Sequence, residues 1–518
     1  MNQQDYILSI DHGTQSVRAI LFDLQGNIAV RSRVPIQPYY STEPGWAEQD
    51  PEYFWKSLAQ ACCQLWQKTD IPKEAVRGVT LTTQRATVIN VDASGKPLRP
   101  AMVWLDQRVT KGIKPIGGLW GGLFKLGRLE KDIARLQSET EVNWIKVNQP
   151  EIWQETYKYL LLSGYLSYRL TGNFLDSTGN QVGYIPFSVK KMDWAGPRHW
   201  SWQAFPVERQ QLPELLPPGA LLGQVTPEAA EETGIPVGLP VIAAASDKAC
   251  ELVGNGALEP HIACLSFGTN ATLNTMQPKY LEVIPPLPPY PAAIPGAYNP
   301  EIAVNRGFWM VSWFKKEFAH YEQQIAAEKG IEAEELFDEL VNQVPAGSMG
   351  LVLQPYWMPS FKAQGPEAKG AIIGFGEIHT RAHLYRAILE GLAYALLEGK
   401  EKTEKRSHIP ITEVRVSGGG ASSQAALQIT ADVFGLPVYR AHTYETSALG
   451  AAIVAAVGLH LYPDFKTAVK AMSRLEAVYT PDSQRHEIYS QLYKRVYLEM
   501  YSRLQPLYSD IQKITGYP

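Results

Sequence analysis

Runs of apolar residues alternate with short polar turns along most of the chain, and two of these runs fold back around a Gly-Thr turn. In the first, Tyr6-Ile-Leu-Ser-Ile leads into Asp11-His-Gly13-Thr14-Gln15-Ser16, and a second apolar run returns to Asp23. That order predicts a tight β-hairpin with Asp11, Gly13, Thr14 and Ser16 in its loop. Far downstream, His261 to Thr275 repeats the design, with Gly268-Thr269-Asn270 at the turn and alternating Thr272, Leu273 and Asn274 after it. Two such hairpins about half a chain apart predict a duplicated architecture.

The remaining pattern fills in around them. Asp50 and Pro51 predict the N-cap and first turn of a helix over Glu52 to Trp66, with Phe54, Leu58, Cys62 and Leu65 at helical spacing. Val76 to Thr82 reads as a strand ending in Thr83-Gln84-Arg85, and Val88 to Asp92 as the next. Gly117 to Gly122 is predicted as a flexible loop, residues 150–170 as one aromatic-rich helix closed at Thr171-Gly172-Asn173, and Asp176 to Asn180 as a polar loop. Gly238 to Ala245 is a buried-strand run that stops at Ser246-Asp247. The Pro-rich stretch 278–300 predicts a structured excursion rather than a strand. Helices are expected over Phe308 to Phe318, Glu332 to Val344, from His383, and over Ala448 to Val457. Glu413 to Ser417 is a strand running into Gly418-Gly419-Gly420 and a helix through Val433, and 463–518 is a helical tail.

At 518 residues the chain is too long for one core. The mixture of strands and helices gives an α/β fold in two large lobes, 1–254 and 255–518, with Gly254 to Pro260 as the crossing. A hydrophobic content of 45% with 19% charged residues belongs to a globular chain, and a net charge of −4 carries no basic bias toward nucleic acid or anionic lipid. Cys62, Cys63, Cys250 and Cys264 show no CxxC spacing and read as free thiols of a reducing compartment. No secretory pattern opens the sequence and no run is long enough for a membrane span, so a cytoplasmic protein is expected. A homodimer is left open.

Candidate chemistry gathers at four places. The first loop can surround phosphate oxygens with backbone N–H and hydroxyl groups, and Asp11 beside it makes sense with a divalent cation in between. Such turns also occur in plain β-structure. Asp247, at the end of an apolar strand, is placed to act as a base with a raised pKa, or alternatively as a helix N-cap. Trp104, Asp106 and Arg108 crowd the end of a short apolar run, as a ligand site or as a core aromatic with an ion pair. Strand, glycine loop and helix at 413–433 can hold an anion at the helix N-terminus, or can be a packing turn. There is no GxGxxG and no Walker A pattern.

Taken in order, these elements resemble the FGGY family of carbohydrate kinases, relatives of actin, hexokinase and the heat-shock ATPases. The resemblance rests on Asp11-His-Gly-Thr-Gln-Ser-Val-Arg18, Trp104-Leu-Asp106-Gln-Arg108, Leu170-Thr-Gly172 with Asp176, Ser246-Asp247, Ser266-Phe-Gly-Thr269, Gly370 to Gly374 with His383 to Gly391, and Val416-Ser-Gly-Gly-Gly420 through Asp432. It implies two ribonuclease-H-like lobes with a central cleft, ATP mainly on the C-terminal lobe and sugar mainly on the N-terminal one, closing about a hinge near Gly254. It further implies Asp247 as general base and Asp11 as a holder of Mg2+. Thr14, Gln15 and Arg18 would face the transferring phosphoryl group, and Gly268 and Thr269 the other phosphates. Gly419, Gly420 and Ser423 would line the adenosine pocket, and Arg85, Trp104 and Asp106 would contact the sugar, as would Asp247.

The substrate is less sharply implied. Glycerol kinases carry Arg-Glu and xylulokinases Met-His where this chain has Arg85-Ala86, and Ser163-Gly164 departs from the acidic residue often found there. The Trp104 segment looks more like the ketose kinases, so a small ketose or polyol of the D-xylulose or D-ribulose type is preferred. A kinase of glycerol or another polyol, a non-catalytic sensor of nucleotide and sugar, and an ATPase acting on protein partners are the alternatives.

Overall fold

The computed structural model describes residues 5–331, 333–357, 365 and 367–516. Two compact units emerge, one built from Met1–Gly254, Tyr290–Ala297 and Ser447–Ser473, the other from Asn255–Pro289, Tyr298–Thr446 and Arg474–Pro518. Besides a boundary at 254/255, the chain therefore changes unit at 289/290, 297/298, 446/447 and 473/474.

The first unit is organised by a six-stranded sheet in the order Leu221–Gln224, Pro240–Ala243, Val76–Thr83, Tyr6–His12, Ser16–Asp23, Ile28–Pro35. The three strands beginning at Pro240, Val76 and Tyr6 are parallel, and the remaining pairings are antiparallel. Hydrophobic patterning explains the order. The central strands are buried along nearly their whole length, whereas Ile28–Pro35 alternates between covered and accessible positions, as a sheet margin does. The Pro51–Trp66 helix buries Phe54, Trp55, Leu58 and Leu65 against this sheet, and Asp50 caps it by accepting from the Glu52 N–H at 3.0 Å.

In the second unit the six-stranded sheet runs Glu301–Val304, Ala271–Asn274, Ile262–Phe267, Glu413–Ser417, Val438–Ala441, Leu475–Tyr479. Starting from the strand at Glu301, the pairings are antiparallel, antiparallel, parallel, parallel, antiparallel. Read from Ile28–Pro35, the first sheet gives the same series. The duplication expected from the two hairpins is thus present strand by strand.

Several local expectations are overturned. Gly118–Leu126 is a helix, not a loop, because Trp120 and Phe124 stack one turn apart with ring centroids at 6.1 Å. Residues 150–170 are not one helix. Lys158–Leu161 pairs antiparallel with Val88–Val91, which splits the stretch into helices Pro150–Glu155 and Leu162–Thr171. Gly172, at φ 73°, closes the second of these as a left-handed cap. The stretch after Asp176 is not plain loop, since Leu175–Ser177 pairs in parallel with Glu214–Leu216. The tail contains the strand Leu475–Tyr479 ahead of its last helices. Short strands occur at Tyr290–Pro291 and Tyr298–Asn299 inside the Pro-rich stretch. Of the helix expected over Glu332 to Val344, Phe337–Asn342 is α-helical, preceded by a 3-10 turn, and Glu332 lies outside the described residues, as do the last two residues of the tail.

Candidate active site

In the first unit, three parallel strands deliver their C-terminal ends to one place, where α/β sheets bind ligands. The Tyr6–His12 strand brings Asp11, whose carboxylate accepts from Arg18 Nη1 at 2.8 Å across the hairpin, with the Asp11 side chain only 5% exposed. The loop turns tightly, Gly13 N–H donating to the Ser16 carbonyl at 3.1 Å. Gln15 is exposed at the tip, while its carbonyl accepts from Ile36 N–H. His12 is held neutral by burial, which lowers its pKa to about 4, and its Nε2 lies 3.2 Å from the Phe54 carbonyl. It anchors the strand end without adding charge.

The Val76–Thr83 strand ends in Gln84 and Arg85. The Arg85 guanidinium lies over the Tyr290 ring at 4.6 Å, and Ala86 adopts φ 53° immediately after it. From the Pro240–Ala243 strand the chain runs three residues further and starts the Asp247–Gly254 helix, so Asp247 is the first residue of a helix rather than its N-cap, the Ser246 carbonyl accepting from Cys250 N–H at 2.9 Å. Its Oδ1 accepts from the Lys248 N–H at 2.7 Å. The residue is half-buried, and burial raises its pKa above the usual carboxylate value, opposed by the charges of Lys248 and Arg85. Lys248 in turn pairs with the buried Glu251 at 2.8 Å. Asp11 and Asp247 both bear on the Cys250 thiol, whose pKa is pushed up to about 12 chiefly by burial. The charges of both carboxylates thus add to the effect of burial in keeping this thiol protonated.

Trp104 Nε1 donates to Thr14 Oγ1 at 3.2 Å, which joins the Trp104 segment to the phosphate-loop candidate. Asp106 is drawn the other way. It accepts from Ala47 N–H at 2.8 Å, from Arg108 N–H at 3.0 Å and from Arg108 Nη2 at 2.6 Å. Arg108 is itself sandwiched at 3.9 Å over Trp46 and 4.5 Å over Trp144 and reaches Glu48 at 3.1 Å. The ion pair expected here is buried rather than solvated, and it fixes the loop that presents Trp104.

The second unit supplies the other candidates. Gly268 and Thr269 form the turn between Ile262–Phe267 and Ala271–Asn274, and their carbonyls accept from Phe308 and Trp309 N–H at 3.2 and 3.4 Å. Asn270 Oδ1 accepts from Arg306 N–H at 3.0 Å. Beside them, Gly418 adopts φ 84° and a Cβ there would meet the Phe267 carbonyl at 2.9 Å, while a Cβ on Gly420 would strike Phe308 at 2.5 Å. Gly419 is exposed with open space above it. The start of the Gln424–Phe434 helix, expected to offer its N–H groups to an anion, already holds one. Asp338 accepts from Ser423 Oγ at 2.5 Å, Gln424 N–H at 2.9 Å and Ala425 N–H at 3.3 Å. Sequence reading passed over Asp338, 85 residues from Ser423 and unmarked by its flanking residues, and gave no role to Gln84, although it stands next to Arg85 in the polar cluster that ends its strand.

Comparison with known proteins agrees across the chain. The sequence profile described as the FGGY family of carbohydrate kinases, N-terminal domain, matches residues 6–254, and that of the C-terminal domain matches residues 263–459. An uncharacterized sugar kinase of Escherichia coli K12 is 31% identical over 96% of this chain and 93% of its own. A xylulose kinase of Lactococcus lactis is 29% identical over 95% and 96%. Among solved structures, xylulose kinase from Rhodospirillum rubrum superposes with a TM-score of 0.80 at 27% identity, covering 97% of this chain and 100% of that one. No helix among the described residues is long and apolar enough to cross a membrane.

Proposed function

Because the chain belongs to the FGGY family of carbohydrate kinases, we propose that Asp247 is the general base of an ATP-dependent phosphorylation of a small ketose, of the D-xylulose or D-ribulose type. The protein is a sugar or polyol kinase, a phosphotransferase with an alcohol acceptor, and kinases of this family use ATP. The ketose preference is supported by the similarity to proteins named xylulose kinase. A polyol such as glycerol is the second reading, favoured by Arg85, whose guanidinium beside Asp247 suits a hydroxyl-rich acceptor.

The observation that carries the mechanism is the setting of Asp247. The residue is half-buried at the end of three parallel strands, and burial makes its carboxylate more basic than usual. As the acceptor hydroxyl attacks the γ-phosphorus, Asp247 takes its proton, the bond to the ADP oxygen breaks, and sugar phosphate and ADP leave. Asp11 would hold Mg2+, since a single carboxylate beside a phosphate-facing loop is the donor set that ion accepts, completing its shell with water and phosphates. When bound, the ion neutralises phosphate charge. Thr14, Gln15 and Arg18 would face the moving phosphoryl group, Gly268 and Thr269 the remaining phosphates, and Gly419, Gly420 and Ser423 the adenosine. Arg85, Trp104 and Asp106 would bind or frame the sugar.

An ADP-release assay over a panel of ketoses, polyols and aldoses tests this reading. Turnover that depends on a pentulose supports it, and ATP hydrolysis indifferent to every sugar overturns it. Asp247→Asn should lower kcat about 10²–10⁴-fold while calorimetry finds ATP affinity nearly unchanged.

A further inference from the structure

Gln84 directly follows the Val76–Thr83 strand and is 4% exposed. Its backbone N–H donates to the His12 carbonyl at 3.0 Å, fastening it to the strand that ends beside Asp11. Its side chain ends a directional chain of hydrogen bonds. Trp104 Nε1–H donates to Thr14 Oγ1 at 3.2 Å, and the Thr14 hydroxyl donates to Gln84 Oε1 at 3.0 Å. An indole N–H can only donate, so the Thr14 hydroxyl accepts from it and sends its own proton on to the amide oxygen. The amide nitrogen is then the far end, and Gln84 Nε2 is buried with no hydrogen-bond partner among the described residues. Folding leaves such a group unpaired only at a cost in stability, and each instance calls for an explanation.

Resting on the reading of Asp11 and Thr14 as a phosphate loop and of Asp247 as the base, we propose that Gln84 Nε2 donates a hydrogen bond to a non-bridging oxygen of the phosphoryl group in transit. Trp104 and Thr14 act as positioning residues that hold the amide the right way round. The place is suitable: the strands carrying Asp11 and Gln84 and the one leading to Asp247 are adjacent and parallel, and Thr82, two residues before Gln84, donates through its hydroxyl to the Ala245 carbonyl at 2.8 Å. The chemistry is suitable too. An N–H donor aimed at the attacking hydroxyl would tie up its lone pair, whereas the phosphoryl oxygens are acceptors only. Because the relay starts on Trp104, a sugar that packs on the indole would set the amide for transfer before the phosphoryl group moves.

Steady-state kinetics with the best sugar of the panel, joined to thermal melts, test the idea. Gln84→Met keeps the length and removes the Nε2 donor together with the Oε1 acceptor. It should lower kcat about 10²–10³-fold and leave both KM values within about threefold, with only a small fall in Tm from the lost Thr14–Gln84 hydrogen bond. Trp104→Phe should lower kcat about tenfold in the native background and have no further effect on kcat in Gln84→Met, as expected of groups acting in one chain. If Gln84→Met does not fold, the isosteric Gln84→Glu carries the same test and should lose still more activity. A kcat for Gln84→Met within about threefold of the native value overturns the proposal alone. Absence of sugar-dependent turnover in the native protein removes the underlying reading, and the proposal with it.

Discussion

Asp247 illustrates what a single residue can hold in tension. Burial raises its pKa, and Lys248 and Arg85 lower it, so removing a positive neighbour should push it further up. Arg85→Met should therefore move the acid limb of the kcat–pH profile to higher pH. The same shift enters stability. A carboxyl whose folded-state pKa exceeds its unfolded value helps folding below the unfolded pKa, and that help is lost as pH rises through the folded one. Asp247→Asn should thus raise Tm at neutral pH, with the gain shrinking as melts are taken from about pH 8 toward about pH 4. Asp247 was legible in the sequence because an apolar run stops at an acid. The unpartnered nitrogen of Gln84 was not, since it depends on which way Trp104 and Thr14 point. Nor was the crowding of the Asp106 carboxylate, which needs Ala47 and the Trp46–Arg108–Trp144 stack brought together by folding.

Among elements, most with strong local periodicity were read correctly, and the misread ones include strands short enough to be set by their pairing alone. The capped helix Pro51–Trp66 and both Gly-Thr hairpins follow from short-range pattern. The strand Lys158–Leu161 exists because Val88–Val91 lies beside it, so its aromatic and apolar residues could be taken for helix. The Gln424–Phe434 helix depends in the same way on a residue from elsewhere. Asp338 supplies both an acceptor for its first N–H groups and a negative charge at its positive end. Asp338→Ala should cost about 1–2 kcal/mol in chemical denaturation. It should also raise the KM for ATP, because the glycine turn before that helix loses its support.

At the scale of the molecule, two units built on sheets with one series of strand pairings each take in segments from elsewhere in the sequence. The Thr446–Gly458 helix packs within the first unit so tightly that a Cβ on Gly450 would lie 1.8 Å from the Cys250 carbonyl oxygen. Gly450→Ala should cost about 1–3 kcal/mol by overpacking, measured by urea titration. It should depress kcat as well, since Cys250 sits in the helix that begins with Asp247. This late helix also constrains biosynthesis. A ribosome that has made residue 254 must add 193 more before Ser447 exists. At about 5–20 residues per second, that is a wait of about 10–40 s. During it the first sheet, whose strands all lie between Tyr6 and Ala243, lacks the helix that packs on it, with apolar surface in reach of chaperones, so this half of the protein is sealed only near the end of translation.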